Sequence, residues 1–310
     1  MKPIATLTVN PAIDYGSEAE EVVPVRKIRT RNERFDPGGG GINVARVVQE
    51  LGGEARAVYM AGGVSGPIFE GLLARSGVSG TCVPIAGDTR ISHLVRERST
   101  GHEFRFTPAG PTVSPEEWSS CRAAIEAVEA EFLVLSGSLA PGLPNDAYGQ
   151  IITDVKPRGI RVVVDTSGAA LHWALEAGVH LVTPNRRELE HLLGRRACCE
   201  RDEEALAAEL VRSGRAEMVA VTLGARGALL VTASTVLRLP APEVATVSTV
   251  GAGDSFTAAM TLGLARGWPV ERAFAFGIAA GAATAMTPGT ELCHRADVER
   301  LFETLLEHLP

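Results

Sequence analysis

The chain has 310 residues, 45% of them hydrophobic and 22% charged, which is enough to bury a substantial core in one large α/β domain. Thirty basic against 37 acidic residues give a formal net charge of −7, which argues against a nucleic-acid or anionic-membrane surface and leaves any anionic ligand to be caught locally. Five scattered cysteines without metal-ligand spacing fit a reduced, cytoplasmic setting, and neither an export leader nor an apolar run of about 18 residues is found.

In chain order, the first β-like run, 4–9, leads into Asn10-Pro-Ala-Ile-Asp14. A carboxylate at the C-terminal end of a sheet strand lies where open α/β sheets bind ligands, so Asp14 is a candidate for holding sugar hydroxyls; a solvated turn is the alternative. The segments of about 12–36 and 89–106 are polar, charged and alternating. They fit a small antiparallel flap, one face turned to a ligand or a partner subunit. On that flap Lys27, Arg90 and Arg105 are candidates for an anionic group, the arginines through bidentate contacts to phosphate.

Between the two halves of the flap, Pro37-Gly-Gly-Gly-Gly-Ile-Asn-Val-Ala-Arg46 opens a helix predicted over 41–51. Four consecutive glycines cost backbone entropy and mark a close approach, either to a ligand or to the sheet. Asn43, one turn in, offers sugar hydroxyls both a donor and an acceptor.

Further β-like runs at 55–60, 132–136, 161–165, 181–183, 218–223 and 228–232 alternate with helices predicted over 116–131, 147–157, 185–193 and 202–213. Several runs are apolar on both faces, which implies a parallel sheet covered by helices on each side. In Pro184-Asn-Arg-Arg-Glu188, Asn185 and Glu188 share a helical face, suited to a magnesium-bound water or phosphates, or else to a capping pair. Thr222-Leu-Gly-Ala-Arg-Gly-Ala228 reads equally as a hairpin turn or a nucleotide wall.

Near the end, an extended β-branched run at 243–250 enters Thr249-Val-Gly-Ala-Gly-Asp-Ser-Phe256, and an apolar helix is predicted over 255–265. Gly251 and Gly253 leave the first helical amides open to a ligand, and with the helix dipole these make an anion site. A carboxylate there, Asp254, is unfavourable unless it accepts a proton from an attacking hydroxyl, capping of the helix being the alternative. There is no P-loop segment, and no Gly-x-Gly-x-x-Gly follows the first strand, which weighs against P-loop and nicotinamide-dependent readings.

Taken together, Gly38-Gly-Gly-Gly-Ile-Asn-Val-Ala45, Asn185-Arg-Arg-Glu188 and Thr249-Val-Gly-Ala-Gly-Asp-Ser255 resemble, over essentially the whole chain, the ribokinase-like (PfkB) carbohydrate kinases. Within that family the phosphosugar branch is most similar, and in particular its minor 6-phosphofructokinases. Gly40 stands where 1-phosphofructokinases and tagatose-6-phosphate kinases carry lysine, and Gly289-Thr-Glu-Leu-Cys293 is also similar. Thr8-Val-Asn-Pro-Ala-Ile-Asp14 looks more like the 1-phosphofructokinases.

The resemblance implies a single ribokinase-like domain over 1–310, a three-layer α/β/α fold with a mostly parallel central sheet and a small β lid. It implies ATP- and Mg²⁺-dependent phosphorylation of a ketohexose phosphate, fructose 6-phosphate foremost, by a homodimer joined through the lids. A non-catalytic sugar-phosphate sensor is the rival of a different class. Position by position, it implies Asp254 as base with Gly251, Ala252 and Gly253 as anion hole, and Asp14, Gly39 and Asn43 on the sugar. Lys27, Arg90 and Arg105 would meet the sugar's phosphate, Ser138 would line the same pocket, and Asn185, Glu188, Thr222, Gly224 and Gly227 would meet the nucleotide. Backbone oxygens of Ser248, Val250 and Gly289 would hold a monovalent cation such as K⁺. Two departures stand out: Thr183 replaces a lysine near the nucleotide phosphates, with Arg186 or Arg187 as candidate substitutes, and Glu291 replaces an arginine.

Overall fold

The computed structural model describes residues 2–309. The first half runs β1 (Ile4–Thr8), β2 (Ala12–Ala19), β3 (Thr30–Gly38), α1 (Gly40–Glu50), β4 (Ala55–Gly62), α2 (Gly66–Arg75), β5 (Ser79–Ile85), β6 (Arg90–Glu97), β7 (Glu103–Phe106) and α3 (Pro115–Glu126). Then come β8 (Phe132–Ser136), α4 (Ala147–Val155), β9 (Arg161–Asp165), α5 (Gly168–Ala177), β10 (Val179–Val182), α6 (Arg186–Leu193) and α7 (Glu200–Arg212). β11 (Ala216–Thr222), β12 (Ala228–Thr232), β13 (Val236–Leu239), α8 (Ala252–Ala265), α9 (Val270–Ala285) and α10 (Arg295–Leu306) follow.

The central sheet has the order β13-β12-β11-β10-β9-β8-β1-β4-β5, parallel from β5 to β11, with β12 and β13 added antiparallel. Successive strand side chains point to opposite faces. Phe132 and Val134 of β8 therefore join one core with α1, α2, α8, α9 and α10, while Leu133 and Leu135 join another with α3 to α7. These two cores make the α/β/α layers and explain why the runs are apolar on both sides. From β1 the chain builds outward to β4 and β5, then returns to β8 on the other flank. That reversal opens a crevice at the C-terminal ends of β1 and β8.

The two polar excursions form a second sheet, β3-β2-β6-β7. It is not the purely antiparallel flap that the alternation predicts. β2 and β6 pair in parallel because each leaves the C-terminal end of a parallel strand, β1 or β5, in the same direction; β3 and β7 flank them antiparallel. The β-branched run 243–250 is not a strand either. It lies beyond β13 and takes only isolated backbone bonds such as Val247 N–H to Ala285 O, so without a partner edge its propensity is overridden. The helix predicted over 116–131 ends at Glu126, and the one over 147–157 yields at Val155 to a 3-10 turn carrying Pro157. α2, β5, α5, β13, α9 and α10 lie outside the predicted elements; α9 is alanine-rich, with little polar contrast to mark a face. No helix among the described residues is long and apolar enough to cross a membrane.

Candidate active site

The glycine run separates into two roles. A Cβ on Gly40 would come within 2.2 Å of Ser136 Oγ, and one on Gly41 within 2.5 Å of Thr8 Oγ1, so these two let α1 press against the ends of β1 and β8. A Cβ on Gly38 would come within 2.0 Å of Asp14 Oδ2, so this glycine clears space for the carboxylate. Gly39, at φ 109°, is the helix N-cap in a conformation that side chains rarely adopt.

α8 begins in the same crevice. Gly251 is its N-cap at φ 76°, and a Cβ there would meet Leu292 at 2.6 Å. No side chain caps this helix, which removes the capping role for Asp254. A Cβ at Gly253 would meet nothing within 4 Å, so the first turn opens to the crevice with its amides unpaired along the helix. Asp254 Oδ2 instead accepts a hydrogen bond of 2.9 Å from Asn43 Nδ2. Asn43 Oδ1 accepts from Arg46, which also bonds the Pro37 carbonyl and Asp36, so the amide is held with its donor toward Asp254. Burial pushes the Asp254 carboxyl up to about 6, against the Asn43 bond, with the negative Asp14 adding to the rise and Arg105 opposing it.

Asp14, on β2, is buried, and burial raises it likewise to about 6, against the pull of Arg105, Arg46 and Arg90. Arg90 reaches the Pro108 and Asn10 carbonyls at 2.9 and 2.8 Å, leaving its Nε buried without a partner. Asn10 Nδ2 bridges to Ala109 O, Leu139 O and Ser138 Oγ, while its Oδ1 is also unpartnered. An orphaned donor and acceptor beside an arginine pair fit an anionic, hydroxyl-bearing ligand. Lys27 lies on the exposed connection between β2 and β3, past the far end of β2 from Ala12, and makes no ion pair among the described residues.

On the other side of α8, Asn185 is the N-cap of α6 and Glu188 closes a capping box with it: Glu188 N–H donates to Asn185 Oδ1 (3.0 Å), and Asn185 N–H donates to Glu188 Oε2 (2.9 Å). The capping alternative is therefore correct for the contact, and the pair still lines a cavity of about 480 Å³ with Ser167, Gly168, Arg187, His191 and Leu192. The segment 222–228 is a hairpin turn, bridged to Asn185 through Thr222. Gly224 (φ 61°) and Gly227 (φ 93°) shape it; a Cβ on Gly227 would lie 2.0 Å from Leu239 O. Thr183 is buried, its hydroxyl 2.8 Å from Thr257 on α8. Arg186 is taken up by Glu190, Glu203 and the Ala197 carbonyl, which leaves Arg187 as the cation on the cavity.

Asp165, in sequence only the polar end of a β-like run, sits between the two halves. Burial raises its carboxyl well above the usual range, and the negative Asp254 and Glu188 raise it further; its donors are only the Ser136 and Thr257 hydroxyls at 3.4 and 3.5 Å. The signal that could have found it is the one that found Asp14, a carboxylate ending a strand buried on both faces. No group of three or more His, Cys, Asp or Glu side chains among the described residues could hold a metal ion by itself. Of the residues expected to hold a monovalent cation through backbone oxygens, Ser248 approaches Gly289 with its side chain: its hydroxyl donates to Gly289 O at 3.3 Å and accepts from Val250 N–H at 3.4 Å.

An uncapped helix N-terminus, a carboxylate facing it, and a sugar-type pocket and a second cavity on either side define a phosphotransferase of the carbohydrate-kinase class. Residues 8–297 match the model of the pfkB family carbohydrate kinases, and the chain belongs to that family. The ATP-dependent 6-phosphofructokinase isozyme 2 of Mycobacterium tuberculosis is 42% identical over 306 residues, 98% of this chain and 90% of that one. The Escherichia coli isozyme 2 is 38% identical over 307 residues, 98% and 99% of the two chains. Crystal structures of phosphofructokinase-2 from Escherichia coli match with a TM-score of 0.95 in complex with potassium (38% identity) and 0.94 with fructose-6-phosphate (37%), each covering 99% of this chain and 100% of that one. The fold is ribokinase-like: Arabidopsis thaliana ribokinase, 21% identical, covers 97% of this chain and 99% of its own with a TM-score of 0.74.

Proposed function

We propose that the protein is an ATP-dependent 6-phosphofructokinase that transfers the γ-phosphoryl group to the C1 hydroxyl of fructose 6-phosphate. The observation that carries the chemistry is Asp254, turned by Asn43 toward the open first turn of α8 and raised toward neutrality by its surroundings. There it takes the proton of the attacking hydroxyl as the oxygen–phosphorus bond forms and the bond to ADP breaks, while the Gly251 to Gly253 amides stabilise the charge on the transferring group. Asp14, Gly39 and Asn43 orient the sugar, and Arg90, Arg105 and Ser138 meet its phosphate. Asn185, Glu188, Thr222, Gly224 and Gly227 line the nucleotide side. Magnesium, which Asp165 and Glu188 would hold, supplies charge neutralisation on the nucleotide phosphates.

The sugar assignment is supported by Gly40. A lysine there, as in 1-phosphofructokinases, would push its Cβ into Ser136 Oγ at 2.2 Å and the Gly137 amide nitrogen at 2.8 Å, so this β8 end is built for glycine. Comparing kcat/KM for fructose 6-phosphate, fructose 1-phosphate, tagatose 6-phosphate and fructose tests the reading. Fructose 6-phosphate is expected to be preferred. Preference for another phosphosugar would overturn the substrate, and no turnover with any would favour a sensor.

We also propose a homodimer joined through the lids. The outer lid face carries a row across all four strands, Phe35, Tyr15, His93 and Phe106, in register, with the Tyr15 and Phe35 ring centroids 4.8 Å apart at a tilt of 42°. Phe35, Ile91 and Phe106 are 52%, 38% and 60% exposed, an apolar stripe that needs a cover. Light scattering at micromolar concentration should give twice the chain mass; a single-chain mass would rule this out.

A further inference from the structure

Glu103 lies on β7, on the lid face that also carries Arg105 and, through the register Glu103–Arg96–Glu18, Asp14. Its Oε2 is 3.1 Å from the Ser248 hydroxyl, which is also 3.3 Å from the Gly289 carbonyl oxygen. Ser248 has one hydroxyl proton for these two acceptors, and its oxygen already accepts from Val250 N–H at 3.4 Å. Glu103 Oε1 is buried with no hydrogen-bond partner at all. No arginine, lysine or histidine among the described residues forms an ion pair with this carboxylate, its cross-strand partner Arg96 included; Arg98 and, on the opposite edge of the lid, Arg31 and Arg34 pair elsewhere. One proton between two acceptor oxygens, with the second oxygen of a negatively charged carboxylate buried and without a donor, is unfavourable until a cation joins.

The surrounding contacts tie this cluster to the lid. Thr290 donates to Asp36 Oδ2 at 2.7 Å, Arg34 donates to Glu291 Oε2 at 2.6 Å, and a Cβ on Gly289 would lie 3.4 Å from Leu94. The loop that carries Gly289 is therefore docked on β3 and β6. Glu291, which departs from the arginine of the resembling branch, makes one of these contacts.

We propose that Glu103 is a lid-borne ligand of a monovalent cation held together with Ser248 and Gly289, so that cation binding and docking of the lid on the sugar site reinforce each other. The choice of a monovalent cation deepens the kinase reading and rests on it. Because Glu103 belongs to the lid and Gly289 to the loop beneath, a cation shared between them joins the two. By reciprocity, an occupied sugar site and the cation then raise each other's affinity.

The test is thermal unfolding of the ligand-free protein across a K⁺ series, with choline holding ionic strength constant, followed by calorimetric titration of fructose 6-phosphate in each salt. Wild type is expected to gain melting temperature saturably with K⁺ and to bind the sugar phosphate more tightly in K⁺. Glu103→Gln should raise the half-saturating K⁺ about tenfold and remove the salt-specific gain in sugar affinity. Glu103→Lys, which carries its own ammonium, should unfold at a temperature insensitive to K⁺, and it reads the site should the glutamine variant not fold. Equal K⁺ half-saturation in wild type and Glu103→Gln, or no K⁺ response in wild type, would overturn the proposal. A K⁺ response that depends on Glu103 in a protein without phosphofructokinase turnover would instead overturn the substrate reading and leave the cation site standing.

Discussion

Asp254→Asn is expected to lower kcat by about two to four orders of magnitude while leaving the fold and sugar-phosphate binding intact, the range typical of losing a general base. The amide keeps the shape and remains within reach of Asn43, so the first turn of α8 stays open, but it cannot accept a proton. The pH profile separates this from a packing effect. With the Asp254 and Asp14 carboxyls both at about 6, wild-type kcat/KM should fall by more than tenfold per unit on the acid side, whereas the variant, which keeps Asp14, should retain only the shallower step of that sugar-binding carboxyl. Stability should move the other way. The folded-state value is raised from 3.8, so the folded protein binds this proton more tightly than the unfolded chain. Its contribution is fully present below the unfolded value and is lost as pH rises through about 6, each pH unit between the two values amounting to about 1.4 kcal/mol. At pH 8 the ionised carboxylate is therefore a liability, and Asp254→Asn should melt above wild type there, with the difference vanishing near pH 4. Near-normal turnover in the variant would remove Asp254 from the chemistry.

That conflict between stability and function is why Asp254 was legible from sequence alone. A glycine-flanked carboxylate at a helix start is a local anomaly, and so are four glycines before Asn43. What stayed hidden is tertiary. Asp165 ends β9 as any polar residue might, and only the approach of Asp254 and Glu188 shows what it must neutralise. The parallel pairing of β2 with β6 depends on where β1 and β5 end, far apart in sequence, and no alternation within either strand encodes it. Gly40 and Gly41 were readable as a close approach but not as an approach to β1 and β8 in particular. Glu203, lying among Glu200, Asp202 and Glu204 at the start of α7, reads as one more charge on a solvated face.

In the structure Glu203 is 2% exposed and gathers three arginines: Arg186 from the first turn of α6, Arg226 from the turn after β11, and Arg238 from β13. Burial works to raise its carboxyl, but the bonds from Arg226 and Arg238 prevail and hold it below the usual range. Glu203→Ala removes the carboxylate that the three arginines share; Arg186 keeps Glu190 and Arg238 keeps Glu200 and Glu204, and Arg186 and Arg226 are partly solvated, so the expected cost is about 1–3 kcal/mol of stability, below that of breaking a fully buried pair. Because the folded value is depressed, the stabilisation is present above the unfolded value and is lost as pH falls through the lower folded one. The gap between wild type and variant in urea unfolding should therefore be wide at pH 7 and close in acid. The loss should also be directional in kinetics. Arg226 lies between Gly224 and Gly227, and Arg186 adjoins Asn185, so loosening both should raise the KM for ATP about tenfold or more while the KM for fructose 6-phosphate, set across α8, stays put. A variant that loses stability yet keeps the wild-type KM for ATP would show that Glu203 braces α7 alone and has no part in placing the nucleotide.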